Sequence, residues 1–188
     1  DGAFNGNASA FEAQGTGIGG TSDRFRFVST PLVGDCRLEV RFEPPFSSQR
    51  SQFGLTIRES ENPSSPHVSL LISADSSGES ERPTWKAHLT ARDIPGAETR
   101  VGAEIPLAAP HVAYGRVVRG FSLRLVRDGQ RFTASIGTKA GGDDWRLVGS
   151  MELPMRAEVL VGAVGASRLP SLTTTLTLVD LQIGRNAP

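Results

Sequence analysis

The stretch Arg37-Leu38-Glu39-Val40-Arg41-Phe42-Glu43 decides the fold class. Its apolar residues Leu38, Val40 and Phe42 recur at every second position, with charged residues between them. Successive side chains of an extended strand point to opposite faces, so this segment reads as a strand with one apolar side and one wet side. The same alternation recurs outward from it, in Phe53/Leu55/Ile57, Val68/Leu70/Ile72, Trp85/Ala87/Leu89/Ala91, Phe121/Leu123/Leu125, Phe132/Ala134/Ile136 and Leu172/Thr174/Leu176/Leu178. Many one-sided strands bury their apolar faces together only as two packed sheets, which predicts an all-β sandwich.

Turn chemistry separates the runs. Pro44-Pro45 ends the first strand, and Asp128-Gly129 predicts a tight hairpin because both residues tolerate positive φ. Ser60-Glu61-Asn62-Pro63-Ser64-Ser65-Pro66 reads as an ordered surface loop. Residues 75–83 and Gly141-Gly142-Asp143-Asp144 read as polar loop tips, the first as the most mobile. A short edge strand is expected near residues 10–13, another strand at 99–105, and a connection around Tyr114. In the last run the apolar phase moves from Leu176/Leu178 to Val179/Leu181/Ile183, which predicts a bulge or a change of partner.

At 188 residues the chain is expected to form one domain, residues 1–188. Its 20 Lys+Arg balance 20 Asp+Glu, which argues against nucleic acid or acidic membranes as general long-range partners. Lys86 and Lys139 are the only lysines. Arginine dominance fits either GC-rich coding or a surface that grips carboxylates and sulfates with planar forks. Cys36 is the only cysteine, so an intramolecular disulfide and a Cys-rich zinc site are excluded, and its phase with Leu38 and Val40 places it in the core. No apolar run is long enough to span a bilayer, so membrane insertion is not expected. Asp1-Gly2-Ala3-Phe4 lacks the basic and apolar regions of a signal peptide, so the chain is read as a soluble segment from which any targeting sequence has been removed. Gly15-Thr16-Gly17-Ile18-Gly19-Gly20 lacks the lysine and following helix of a phosphate loop and reads as an irregular lead-in.

Three stretches carry a family resemblance. They are Gly20-Thr21-Ser22-Asp23-Arg24-Phe25-Arg26-Phe27-Val28 followed by Pro31-Leu32 and Gly34-Asp35; Gly54-Leu55-Thr56-Ile57-Arg58-Glu59-Ser60 with Pro63-Ser64-Ser65-Pro66-His67-Val68; and Asp143-Asp144-Trp145-Arg146-Leu147-Val148-Gly149-Ser150. In order and spacing they resemble the concanavalin A-like lectin/glucanase superfamily, and within it the laminin-G-like bacterial modules similar to "regulation of enolase" proteins. The resemblance implies a jelly-roll β-sandwich with one concave sheet. It also implies an accessory module of a secreted, surface or periplasmic bacterial protein, often beside glycoside hydrolases. The same sandwich hosts lectins, glycosidases and adhesion modules, so fold alone does not name the activity.

Candidate ligand contacts fall in three groups. The resemblance implies that Arg58 and Glu59 meet His67 at adjacent strand ends, where they could bind a saccharide or simply tether the intervening loop. Lys86, His88, Thr90 and Arg92 share one side of a strand and, with Ser69 and Arg124 on neighbouring strands, would line a concave face with donors for sugar hydroxyls or carboxylates. An ordinary solvated strand face has the same pattern. Trp85, at the start of its strand, is the aromatic expected to be exposed for stacking, whereas Trp145, in phase with Leu147, is expected in the core.

Glycosidase chemistry needs two carboxyl groups across one bond, and Glu39 and Glu43 are instead separated by Arg41, the pattern of a ladder of ion pairs. His67, His88 and His111 are scattered, so no transition-metal site is predicted. For a structural calcium ion, Asp23 and Asp180 are the acids to inspect; similar sandwich families use a late-strand Asp in this way. The sequence therefore predicts a non-catalytic carbohydrate- or surface-ligand-binding module, with polysaccharide and neighbouring domains of a larger protein as partners. The alternatives are a purely structural or protein-interaction module and a divergent glycoside hydrolase.

Overall fold

The computed structural model describes residues 4–6, 9–44, 46, 50–75, 83–113, 116–137 and 144–185. In chain order its strands are β1 Phe4–Gly6, β2 Ser9–Gln14, β3 Arg26–Val33, β4 Cys36–Glu43, β5 Gln52–Arg58, β6 His67–Asp75, β7 Thr84–Arg92, β8 Arg100–Leu107, β9 His111–Ala113, β10 Arg116–Arg119, β11 Phe121–Asp128, β12 Arg131–Gly137, β13 Trp145–Glu152, β14 Glu158–Ala166 and β15 Thr173–Arg185. A back sheet of seven strands runs β1-β15-β4-β11-β12-β13, with β2 also on β15, and a front sheet of six runs β3-β14-β5-β6-β7-β8. A separate ribbon joins β9 to β10. The pairings are antiparallel, and the two large sheets form a jelly-roll β-sandwich.

The alternating residues do what their period requires. Leu38, Val40 and Phe42 of β4 and Leu123 and Leu125 of β11 are buried against Phe53, Leu55, Ile57, Val68, Leu70 and Ile72 of the front sheet. The hairpin forms where expected but one residue later: Asp128 pairs with Arg131, and Gly129, at φ 58°, and Gln130 make the turn between β11 and β12. Cys36 is fully buried, and burial pushes its thiol up to about 12. In β15 the register shifts between Val179 and Gln182 with Asp180 at φ 55°, the bulge that the phase change predicts. The loop tips at residues 76–82 and 141–143, and Tyr114, lie outside the described residues.

Both tryptophans differ from expectation. Trp85 is only 6% exposed, packed with Phe46, Phe53 and Phe121 at centroid distances of 5.2–6.2 Å. Its phase with Ala87 and Leu89 turns it inward, and a large indole in that position contributes most to stability when buried. Trp145 lies on the outer face of the back sheet beneath the Arg124 guanidinium, whose Cζ is 3.8 Å from the ring centroid. A register shift between Ala134 and Ser135 moves β13 by one residue, so Val148 and Met151 face the core while Leu147 is exposed. A single-residue slip reverses the face of every side chain beyond it.

Arg124 also corrects an expectation, because it belongs to the back sheet and not to the face that carries Lys86 and His88. There it pairs with Glu39, which also pairs with Arg37, while Arg41 meets Glu43 at 2.9 Å. This is the expected charge ladder. Replacing Phe53, at the centre of the aromatic cluster, by Ala is expected to cost about 3–5 kcal/mol in urea unfolding, whereas Arg37→Ala on the exposed ladder should shift stability by less than about 1 kcal/mol.

Candidate functional site

Side chains that alternate away from a sandwich core ordinarily meet water. On the front sheet they do not: Arg58, His67, Ser69, Leu71, Thr90 and Arg92 point outward and are nonetheless buried. They are covered by the glycine-rich lead-in, residues 15–25, which folds back on itself as a tongue through reciprocal backbone hydrogen bonds between Gly17 and Arg24 at 2.8 and 2.9 Å. Gly15 and Gly17 hold φ of 128° and 98°, and a side chain at either would strike the Arg24 carbonyl or the Gln52 amide. Only glycine lets the tongue lie this close. Ile18 at its tip packs on Leu71 and Val164, with Phe25 and Phe27 at the side.

The tongue is pinned by a charge. Asp23 is buried and accepts a bidentate fork from Arg92, with Nη2 to Oδ1 at 2.8 Å and Nη1 to Oδ2 at 3.0 Å. Arg92 also donates to the carbonyls of Gly20, Pro63, Ser65 and Ala97 at 2.9–3.2 Å and to the Thr99 hydroxyl at 3.0 Å. One guanidinium thus joins the tongue, the β5–β6 loop and the turn before β8. Arg58 Nη1 stands 3.4 Å from Asp23 Oδ2, while its Nε and Nη2 donate to the carbonyls of Ser60 and Asn62 at 2.8 and 2.7 Å. Glu59 turns away from Arg58 and accepts from the Arg156 backbone N–H at 3.0 Å. His67 Nδ1 lies 3.3 Å from the Ser65 carbonyl and 3.7 Å from Asp23. Burial pushes this imidazole down to about 4; the Asp23 carboxylate opposes the shift, and Arg92 and Arg58 add to it.

Arg92 and His67, expected to meet a ligand, are therefore internal, as is Asp23, expected as a calcium ligand. Taking Asp23 and Arg92 out of water is tolerated here because the two are paired with each other and hydrogen-bonded. Asp180 sits on the back sheet, largely exposed and 4.0 Å from Arg41. Among the described residues no group of three or more His, Cys, Asp or Glu is placed to hold a metal ion.

Among the described residues, two openings flank the tongue on the front face. Toward β7 and β8 lies a groove of about 180 Å³, lined by Gln52, Ser73, His88, Thr90, Thr99 and Arg168 among others. Lys86 Nζ meets Glu104 Oε1 at 2.7 Å, and His88 Nδ1 meets Glu104 Oε2 at 3.0 Å. The Lys86 ammonium beside Glu104 lowers its pKa, and burial lowers that of His88 against the pull of Glu104. A neutral His88 that donates from Nδ1 keeps Nε2 as an acceptor. Arg168 reaches Asp75 at 2.6 Å, and the Gln52 amide oxygen accepts from the Ile18 N–H at 2.7 Å. Toward β3 lies a second pocket of about 400 Å³, lined by Asp23, Arg24, Phe25, Arg26, Phe27, Ser29, Arg58, Glu61 and Pro63.

Of the expected contacts, Lys86 and His88 hold the outward place read from the sequence. Gln52, Thr99 and Arg168 were not legible as site residues, since they come from the start of β5, a turn and a distant loop. The glycine run was the available signal for the tongue that gathers them.

No family model matches the chain, and no curated relative does. Solved structures share its fold. A functionally unknown protein from Saccharomyces cerevisiae superposes with a TM-score of 0.68 at 15% identity, over 100% of this chain and 93% of that one. A xylan β-1,4-xylosidase from Bacillus halodurans C-125 gives 0.64 at 14% identity, over 94% of this chain but only 33% of the enzyme. The carbohydrate-binding module CBM66 from Bacillus subtilis gives 0.55 at 15% identity, over 96% and 93% of the two chains. The chain is thus similar in fold to sandwiches of carbohydrate-related proteins, and it spans about a third of the xylosidase.

Two outcomes follow from the buried charges. Asp23→Asn strands Arg92 and Arg58 without their anion, and is expected to lower unfolding free energy by about 3–5 kcal/mol in urea. His67 is held neutral in the fold, so as pH falls from 6.5 toward about 4 the unfolded chain takes up the proton first and stability declines across that window. His88 shifts in the same direction. Urea midpoints measured from pH 7 downward should fall, and less steeply in His67→Gln.

Proposed function

We propose that this chain is a non-catalytic carbohydrate-binding module, an accessory unit of a larger bacterial secreted or surface protein of the laminin-G-like kind, and that it holds a saccharide in the groove beside the tongue. The observation that carries this reading is the set of groups held at fixed positions there. Gln52, Ser73, His88, Thr90 and Thr99 offer both donors and acceptors, and sugar hydroxyls both give and take hydrogen bonds. Gln52 is tied to Ile18, His88 to Glu104 and Arg168 to Asp75, so little side-chain freedom is lost when a ligand arrives. At about 180 Å³ the groove is smaller than the ~300–1,000 Å³ typical of drug-sized ligands, which favours a chain end or a single sugar residue over a long stretch of polymer.

The carboxylates nearby support a binding role over hydrolysis. Glu104 is engaged by Lys86 and His88, Asp75 by Arg168 and Asp23 by Arg92. A glycosidase pair needs one carboxyl free to give a proton and one free to attack or to activate water.

The test is retention of the isolated protein on a glycan array, with and without calcium, followed by calorimetry on the ligands found. His88→Ala is expected to weaken binding by about 1–3 kcal/mol, the cost of leaving a polar partner unpaired. Failure to bind any glycan would leave the structural-module reading in its place, and release of reducing sugar would replace it with an enzyme.

A further inference from the structure

The geometry points to a second site, separate from the His88 groove, in the pocket between Arg58 and the Phe25–Phe27 pair, which takes a sugar ring bearing a carboxylate or sulfate group. The first ground is charge. Arg58 and Arg92 are both buried and share one carboxylate, that of Asp23, while the neighbouring His67 is neutral. The cluster therefore holds one more positive charge than negative, and a buried charge is costly until an anion faces it.

The second ground is an unused donor. Arg92 is saturated by Asp23, four carbonyls and Thr99, whereas the buried Nη1 of Arg58 has an ion-pair distance to Asp23 but no hydrogen bond. Arg58 lines the pocket of about 400 Å³, a volume that admits a sugar. Arg24 and Arg26, also in the lining, are exposed and carry no ion pair among the described residues. Glu61 on the lining has the opposite sign, which favours a ring with one anionic group over a dense polyanion.

The third ground is the wall. Phe25 and Phe27 are half-buried, edge to face at 5.9 Å and 73°, and the Arg58 guanidinium lies 5.0 Å from the Phe25 centroid. The face of a sugar ring is apolar and its acid group is not, so an acidic sugar matches rings and guanidiniums in one small space.

The probes are trigalacturonate, neutral galactotriose and a sulfated galactobiose, each titrated calorimetrically at low and raised salt. Trigalacturonate or the sulfated sugar is expected to bind about tenfold or more tighter than galactotriose, with the gap closing as salt rises. Whichever of the two binds tighter identifies the anion. Arg58→Lys keeps the charge but loses the planar fork, and Arg24→Ala/Arg26→Ala removes exposed charge without touching the buried cluster; each should weaken the acidic probe about tenfold. If Arg58→Lys fails to fold, the exposed pair carries the test. Equal binding of acidic and neutral sugars, no binding of either acidic probe, or acidic binding indifferent to Arg24 and Arg26 would overturn the assignment. His88→Ala reports on the other groove, so a loss confined to it, with acidic binding kept, separates the two sites.

Discussion

One carboxylate organises the front of this molecule. Asp23 enters a layer from which water is excluded, and the energy of stripping it is recovered only because Arg92 meets both of its oxygens and Arg58 stands beside it. Everything that shapes the front face depends on that pairing: the tongue lies where it does because its one buried anion must reach two buried cations. The two openings are the space left on either side of it.

The two outer faces show how differently the same residue types behave in different surroundings. On the back sheet, Arg37, Glu39, Arg41 and Glu43 form pairs open to solvent, where screening and side-chain entropy leave them little net effect on stability. On the front sheet, arginines under the tongue also donate to backbone carbonyls of the surrounding loops. Arg92 serves four of them. Arg127, on β11 of the back sheet, does the same for Gly129 and Met155 at 2.9 and 3.0 Å. A lysine ammonium has no planar fork with which to hold several carbonyls and a carboxylate at once. Some of the arginine bias in the composition therefore has a geometric use that codon preference does not explain.

Much of the architecture was legible because it rests on local rules. The period of Leu38, Val40 and Phe42, the tight hairpin at Gly129, the phase change in β15 and the buried Cys36 all follow from backbone sterics and from which side of a pleat a residue occupies. The site was less legible, and its failures have one cause. Arg92 shares the outward phase of His88 and Thr90, yet only the latter two line the groove, because the tongue covers the Arg92 end of β7. Trp145 was misassigned by a bulge whose position depends on the partner strand, and Arg124 by a sheet order that alternation does not encode.

Alternation by itself determined that this chain is a sandwich of one-sided strands, since a period of two leaves the apolar residues no other way to meet. It could not determine what covers the outside of each sheet. Asp23 and Arg92 lie 69 positions apart, and neither has a local feature that names the other. Their meeting, and with it the division of the front face into a hydroxyl-rich groove and an arginine-lined pocket, was decided only by tertiary structure, because a buried charge is satisfied by whatever folding brings within reach.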